Sequence, residues 1–511
     1  MSFCTGNQQN MFDKLTELIS NGEYNEALYE FQEEFFHIDE RTPNEAAKLC
    51  ILEASLWEVL SDSQAEFDAI ARGLSYNPGD YELFYMLGLY YLNLNIDQAY
   101  LCMEMAAFYC DDEADREVIL DTLSDLKCTP SVRVRNTSIM ILSYNDLEIM
   151  KDCIKSVEDF CPAGTFEIVV VDNASTQEGV REYLREKRDS ADYPFILIEN
   201  EENVGFPKGC NIGAAACNKD NDIFFLNNDA VLMQNSLFFL RMGLYDSRDV
   251  GACSAFSNSA SLQEVDSNDL WDEKPPYKEA VEIFRQYARK NGVPKHLPYI
   301  KRFRLTGFAL LLSRDAIGSI AADGQVFDEA FSPAYFEDDD LGIRLARAGF
   351  DQYLCSNSFI YHNGGNGSFG ASKGMEEGRQ RFIDKWGFDI WGYSLPWFEA
   401  ADAVIELAKE RKGYLKVLDF TCGFGATASY IKSQCPGVFV AGVCRTSFEA
   451  GIARHMTDDV VYGELNTVRL PWKSHSFDVV LAETLFVNKA RIGEMLREGG
   501  IHIGNDREDE K

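Results

Sequence analysis

No uninterrupted apolar run of about 18 residues occurs in the 511-residue sequence, which excludes an ordinary membrane-spanning helix. There is no Cys-X-X-Cys pair either. The fourteen cysteines are scattered from Cys4 to Cys444 without regular spacing, which suits small buried hydrophobes in a reducing compartment rather than a disulfide framework. Positive charge is scarce: 48 Lys and Arg stand against 83 Asp and Glu, for a formal net charge of -35. With no dense basic patch to offset that field, anionic membrane surfaces are poor partners and nucleic acid is not expected as one. A bound anion would need local help from a metal ion or a helix N-terminus. The opening MSFCTGNQQNMFDKL lacks the basic segment and apolar run of a secretory leader, so the expectation is a cytoplasmic, soluble protein with no integral membrane segment.

What is present is a globular composition, 46% hydrophobic and 13% aromatic, on a chain long enough for two to four domains. From Met11 to about Leu126 proline is nearly absent and apolar residues recur three and four apart, which predicts paired amphipathic helices. The stretch GLSYNPGDYELFYMLGLYYLNLNIDQAYLCMEMAAFY resembles a tetratricopeptide repeat. Its Asn77-Pro78 turn, Leu87-Gly88 with Tyr91, and Ala99 fall near that family's positions, and GEYNEALYEF with Gly22, Tyr24 and Ala27 looks like part of another copy. Such repeats imply a protein partner on a concave surface; the alternative is a helical cap that buries one side of the next domain. KCTPSVRVR, Lys127 to Arg135, reads as a linker.

The chemistry gathers between Ser138 and Asp229. SIMILSYND, EIVVVDNAS and DIFFLNND are apolar runs without alternation, each ending in acids or amides, as expected of parallel strands covered on both faces. Polar groups at the ends of parallel strands collect along the sheet edge where such folds bind ligands. The loop ENVGFPKGCNIGA adds Gly205, Gly209 and Gly213 for close backbone approach. Further on, RLTGFALLLSRDAI starts a strand at Thr306 and Gly307. Glu337-Asp338-Asp339-Asp340 opens a helix carrying Leu341, Ile343, Leu345 and Ala348, and FIYHNGGNGSF places His362, one of only six histidines, at a strand end.

Taken together and in order, these motifs resemble a family 2 glycosyltransferase of the GT-A fold, in its rhamnosyltransferase-like branch, over roughly Thr137 to Phe388. The resemblance implies a Rossmann-like, mostly parallel α/β sheet and a nucleotide-diphosphate sugar donor, UDP- or dTDP-linked. Donor-site positions implied by it are Ser143, Tyr144, Asn145, Asp172, Asn203, Gly205, Lys208, Asn211, Asn228, Thr306 and Gly307. Asp172 is equally placed to cap a helix. In LNNDAVL, where the family has an Asp-X-Asp-like metal motif, Asn227 replaces the first acid. Asp229 with His362 then implies a divalent ion, Mn2+ ahead of Mg2+ because imidazole suits manganese. Asp338 is implied as the base that takes the acceptor hydroxyl proton, with Glu337 orienting sugar or acceptor, although acids in a first helical turn also simply complement the helix dipole. Arg379 and Lys385 in GRQRFIDKWGFD could neutralise phosphate or be solvated helix charges.

The last part, GYLKVLDFTCGFGATASYI, VFVAGVCRTSFEAGIAR and LPWKSHSFDVVLAETL, resembles a class I S-adenosylmethionine-dependent methyltransferase, with Asp419, Gly423 and Gly425 in its first motif. It departs from that family where Cys444 or Arg445 stands in place of an acid for the cofactor ribose. The chain stops at GGIHIGNDREDEK, near a fifth strand, so S-adenosylmethionine binding is not the expectation. The division expected is 1–130 α-helical, 131–392 GT-A transferase and 393–511 a small, partial Rossmann-like α/β domain. The function expected is a metal-dependent inverting glycosyltransferase acting on a glycan or protein-linked hydroxyl. Two alternatives stand beside it: an inactive transferase-like scaffold or glycan-binding protein, and a bifunctional glycosyltransferase and sugar methyltransferase.

Overall fold

The computed structural model describes residues 5–321, 324–364, 371–412 and 414–504. Seven helices come first: α1 (Thr5–Asn21), α2 (Tyr24–Phe36), α3 (Pro43–Leu60), α4 (Ser63–Tyr76), α5 (Tyr81–Tyr91), α6 (Ile96–Tyr109) and α7 (Glu113–Lys127). Their starts are written locally. Thr42 and Glu45 form a capping box on α3, and Asp62, Asp80, Asn95 and Asp112 each accept from backbone N–H groups one turn on. Gly88 lets α5 lie against α6, since a Cβ there would meet Met103 at 2.7 Å. α6 is buried from Asp97 to Ala107 except at the half-buried Tyr100, and its core is continuous with that of the sheet that follows. Gln98 Nε2 donates to the Met242 carbonyl at 2.9 Å, and Arg241 pairs with Glu104 where both are buried. These helices cover one face of the next domain. The linker after α7 is tied down as well, because Arg133 donates to Asp97 from its backbone and its guanidinium.

The central sheet has nine strands: β1 (Thr137–Ser143), β2 (Phe166–Asp172), β3 (Phe195–Glu199), β4 (Asp222–Asn227), β5 (Ala230–Leu232), β6 (Val250–Phe256), β7 (Tyr299–Arg302), β8 (Ala309–Leu312) and β9 (Asp351–His362). Their order is β3-β2-β1-β4-β8-β6-β9-β5, with β7 on β9. β3, β2, β1 and β4 run parallel, while β8 is antiparallel to both β4 and β6. β1 and β2 are buried almost throughout, as their unbroken apolar runs require, with separate cores on the two faces. The strand expected to begin at Thr306 starts three residues later, at Ala309, because Gly307 and Phe308 form a turn held by other contacts.

A second, wholly parallel sheet follows: β10 (Lys416–Asp419), β11 (Phe439–Cys444), β12 (Asp459–Tyr462), β13 (Phe477–Leu481) and β14 (Leu496–Ile503), in the order β12-β11-β10-β13-β14. β14 is an edge strand on which Arg497, Glu498 and Gly499 are exposed. The sheet is anchored to the central one by His455, whose Nδ1 lies 2.6 Å from Asp351 and whose Nε2 donates to the Ala346 carbonyl at 2.9 Å.

Candidate active site

The parallel strands β1, β2 and β4 end together, and their terminal polar residues form one edge. In β1 register, Ser143 stands opposite Asp172 and Leu142 opposite Asn227. Ser143 is fully buried and its hydroxyl meets no partner among the described residues. Beyond it Asn145 and Asp146 take left-handed backbone (φ 61° and 56°), and the Asn145 side chain accepts from the Thr176 and Gln177 amides. Tyr144, half-buried, lies between. Asp172 is fully buried. Its carboxylate accepts from the Ser175 amide and from Arg181 Nε at 2.8 Å, so it caps the turn after β2 and carries an ion pair.

The glycine-bearing loop is built around Asn173. Its amide donates to Asn203 Oδ1 at 2.9 Å and accepts from the Val204 backbone at 3.0 Å. Gly205 has φ +85°, and a Cβ there would lie 2.9 Å from the Pro333 carbonyl oxygen, so only glycine fits this close approach. Asn211 is committed to the protein: its side chain both donates to and accepts from the Phe327 backbone. Lys208 is exposed.

Asp229 and His362 meet across the β5–β9 pairing. His362 Nε2 lies 3.2 Å from Asp229 Oδ1 and 3.4 Å from Asn227 Nδ2, while the Gly364 amide donates to Asp229 Oδ2 at 3.1 Å. Nδ1 sits 2.6 Å from the Ser259 carbonyl and must carry a proton, because a carbonyl can only accept. That fixes the ring and turns Nε2 toward Asp229, the arrangement usual for a metal-ligating histidine. Burial works to raise the Asp229 pKa, but the contact with His362 outweighs it and holds the carboxyl below its ordinary value. Burial likewise works to lower His362, and Asp229 pulls it up. An imidazole, a carboxylate and, once Asn227 presents its oxygen in place of the Nδ2 that now faces His362, an amide oxygen suit a divalent ion whose other ligands are phosphate and water. No cluster of three or more His, Cys, Asp or Glu able to hold a metal by itself exists among the described residues. The rest of the FIYHNGGNGSF motif, 365–369, lies outside them.

From the metal pair the contacts run directly to the acidic helix Glu337–Ala348. The Phe308 ring packs obliquely on His362 at 5.0 Å, and its carbonyl accepts from the Asn227 backbone N–H at 2.8 Å. Its neighbour Gly307 donates from its backbone to Asp338 Oδ2 at 3.0 Å. The other Asp338 oxygen accepts from the Asp339 amide at 2.8 Å. Glu337 is buried with an orphaned Oε2, and burial followed by repulsion from Asp338 pushes its pKa well above the carboxylate range. Asp339 is also raised, to about 7, by burial, against the attraction of Arg304 at 2.5 Å. Asp340 is structural: Arg344, Lys385 and Trp386 all bind it. Lys385 is thereby spent within the fold, and Arg379 pairs with Asp389. Asn228 donates weakly to the Asn145 carbonyl at 3.5 Å, and Thr306 donates to Gln263 Oε1 from its amide.

Several residues that build this edge carry no motif of their own. Ser259 acts through a carbonyl, and Gln263, Arg304 and Lys274 lie in loops or at a strand end. Asn173, by contrast, sits inside VVVDNAS and could have been singled out beside Asp172. Lys274 Nζ donates to the Asn363 carbonyl at 2.8 Å, and its pKa is lowered by burial, against the pull of Asp229.

Residues 138–294 match the family model described as Glycosyl transferase family 2. The match supports a nucleotide-sugar glycosyltransferase. Among curated proteins none matches. Solved structures similar to the chain include GalNAc-T7 with UDP, GalNAc and Mn2+ (14% identity, TM-score 0.39, covering 50% of this chain and 48% of that one). They also include the mannosyltransferase PcManGT of Pyrobaculum calidifontis with GDP-Man and Mn2+ (14%, 0.33, 54% and 71%) and S. aureus TarS (14%, 0.32, 48% and 40%). The chain thus spans about half the length of the first of these.

Proposed function

We propose that this chain is an inverting, metal-assisted glycosyltransferase of the GT-A kind, moving a sugar from a UDP- or dTDP-linked donor to a hydroxyl of a glycan or protein-linked acceptor. The observation that carries the proposal is the short chain of contacts from Asp229 and His362 through Phe308 and Gly307 to Asp338. It puts a candidate cation site and an anchored carboxylate on one sheet edge, in the domain that matches the family.

In this reading Asp229, His362 and Asn227 hold manganese or magnesium. The ion, when bound, neutralises charge on the diphosphate leaving group. The protein does the rest. Asp338 is held as an acceptor by two backbone N–H groups and takes the proton of the acceptor hydroxyl. The hydroxyl oxygen bonds to the anomeric carbon as the bond from that carbon to the diphosphate oxygen breaks, with its electron pair leaving on the nucleotide. Burial pushes the Glu337 carboxyl toward its protonated form, which lessens the negative charge beside the base, and Glu337 orients the sugar or acceptor. The donor base and ribose fall to the β1 and β2 ends, at Tyr144, Asn145, Asp172 and Asn203.

Asp338→Asn should lower turnover by about 10²- to 10⁴-fold while leaving donor binding intact. Near-normal turnover would remove Asp338 from the role. The rival reading, a recognition scaffold with a silent transferase domain, is favoured by Asn227 and Asn228 standing where acids would strengthen the metal site. It requires that no nucleotide be released from any nucleotide sugar.

A further inference from the structure

At the carboxyl edge of the second sheet lies a cleft of about 530 Å³, within the size range of ligand sites. Its lining comes from the glycine turn after β10, the ends of β11 and β13, and the connecting segment 392–397. S-adenosylmethionine does not fit it. Cys444 closes the end of β11, its thiol toward the Gly423 carbonyl at 3.4 Å. Glu449, the nearest acid, is consumed: it accepts from the Arg445 and Thr446 amides and from the Tyr393 hydroxyl at 3.0 Å. The Tyr393 ring stacks on Phe424 at 4.0 Å and lies over the glycine turn, where a Cβ on Gly423 would meet it at 3.2 Å. The place where a nucleotide cofactor would rest against the turn is filled by the protein itself.

The remaining space is bounded by aromatic faces and hydrogen-bonding groups of mixed sign. Trp397 and Phe486 line it, Phe486 being 40% exposed and stacked with the Arg445 guanidinium at 4.8 Å, and Glu483 lies beside them. Two carboxylates against one guanidinium, on a chain of net charge -35, disfavour a polyanion. Amphipathic rings beside acids and an arginine suit a neutral, hydroxyl-rich ligand whose C–H faces lie on the aromatics.

The cleft is joined to the transferase edge. Arg304 contacts Asp339 through Nε and donates to Ser394 Oγ from Nη1 at 3.1 Å, so one guanidinium touches the acidic helix and the segment lining the cleft. Trp391, just before that segment, packs on Phe336, the residue immediately before Glu337. We infer that the cleft around Trp397, Glu483 and Phe486 is a saccharide-binding subsite that holds the distal part of a neutral glycan acceptor. Saccharide binding stands on the cleft alone; the word acceptor rests on the transferase reading.

The test is calorimetric titration of the full chain with neutral malto-, cello-, chito- and rhamno-oligosaccharides, with S-adenosylmethionine and adenosine as competitors. The same titrations are made on Phe486→Ala and Glu483→Gln, both checked for an unchanged thermal transition. At least one saccharide series should bind with affinity that rises with chain length, should be unaffected by either competitor, and should weaken about tenfold in Phe486→Ala. Binding of no saccharide, binding by both variants as tight as by the wild type, displacement by S-adenosylmethionine, or self-association lost in Phe486→Ala would each overturn the inference. A parallel titration with uridine and thymidine diphosphates and Mn2+ separates the two claims: nucleotide binding without saccharide binding sinks only the subsite, and the reverse sinks only the transferase.

Discussion

At the scale of single residues the site separates two neighbouring carboxyls by environment. Asp338 is held by backbone amides, while Glu337 is buried with an orphaned oxygen and a pKa far above its ordinary 4.5. A carboxyl with a raised folded pKa binds more protons in the folded state. Its contribution is therefore complete below the ordinary value and is lost as pH rises toward the folded one. Asp339, moved from 3.8 to about 7, acts in the same direction. The wild-type urea midpoint should accordingly fall between pH 5 and pH 8, and Glu337→Gln, a neutral isostere, should flatten that decline. Parallel profiles for the two proteins would show that Glu337 is ionised in the fold. None of this was legible from EDDD in the sequence, because four adjacent acids at a helix start look alike until their burial is known.

At the scale of elements, the strands around the site were legible and the loops between them were not. β1, β2 and β4 follow from unbroken apolar runs with polar ends, and the acidic helix from its Leu341, Ile343 and Leu345 spacing. The turn at Gly307 was read as strand because its neighbours are apolar. Its conformation is set instead by Asp338 and Gln263, which are distant in sequence. Asn211 shows the same limit. The sequence resemblance implies a donor-site position for it, yet long-range pairing with Phe327 commits its amide. Gly205 belongs to this scale too. With positive φ and the Pro333 carbonyl against its α-carbon, Gly205→Ala should cost about 1–3 kcal/mol in urea denaturation and weaken donor binding, by shifting the loop that Asn173 and Asn203 hold. A variant as stable as wild type would mean that the loop yields freely.

At the scale of the whole molecule, the helical layer is part of the central domain's core. α6 is buried over most of its length, and the Glu104–Arg241 pair sits between layer and sheet with both side chains 6% exposed. Removing one partner leaves a buried charge uncompensated, so Arg241→Met should destabilise the fold by about 3–5 kcal/mol, and the double variant Glu104→Leu/Arg241→Met should recover much of the loss. An additive double variant would show that the charges are not coupled. The helical spacing predicted these helices, but their docking depends on contacts more than a hundred residues apart and had no sequence signature. The net charge of -35 bears on function at this scale, since a nucleotide diphosphate approaching such a surface needs a cation to hold it. The most direct measurement is therefore a thermal-shift panel of uridine, thymidine and guanosine diphosphates with and without Mn2+, on wild type and Asp229→Asn. A Mn2+-dependent rise with uridine or thymidine diphosphate that disappears in Asp229→Asn is the predicted result; no rise with any nucleotide, with or without metal, would contradict it.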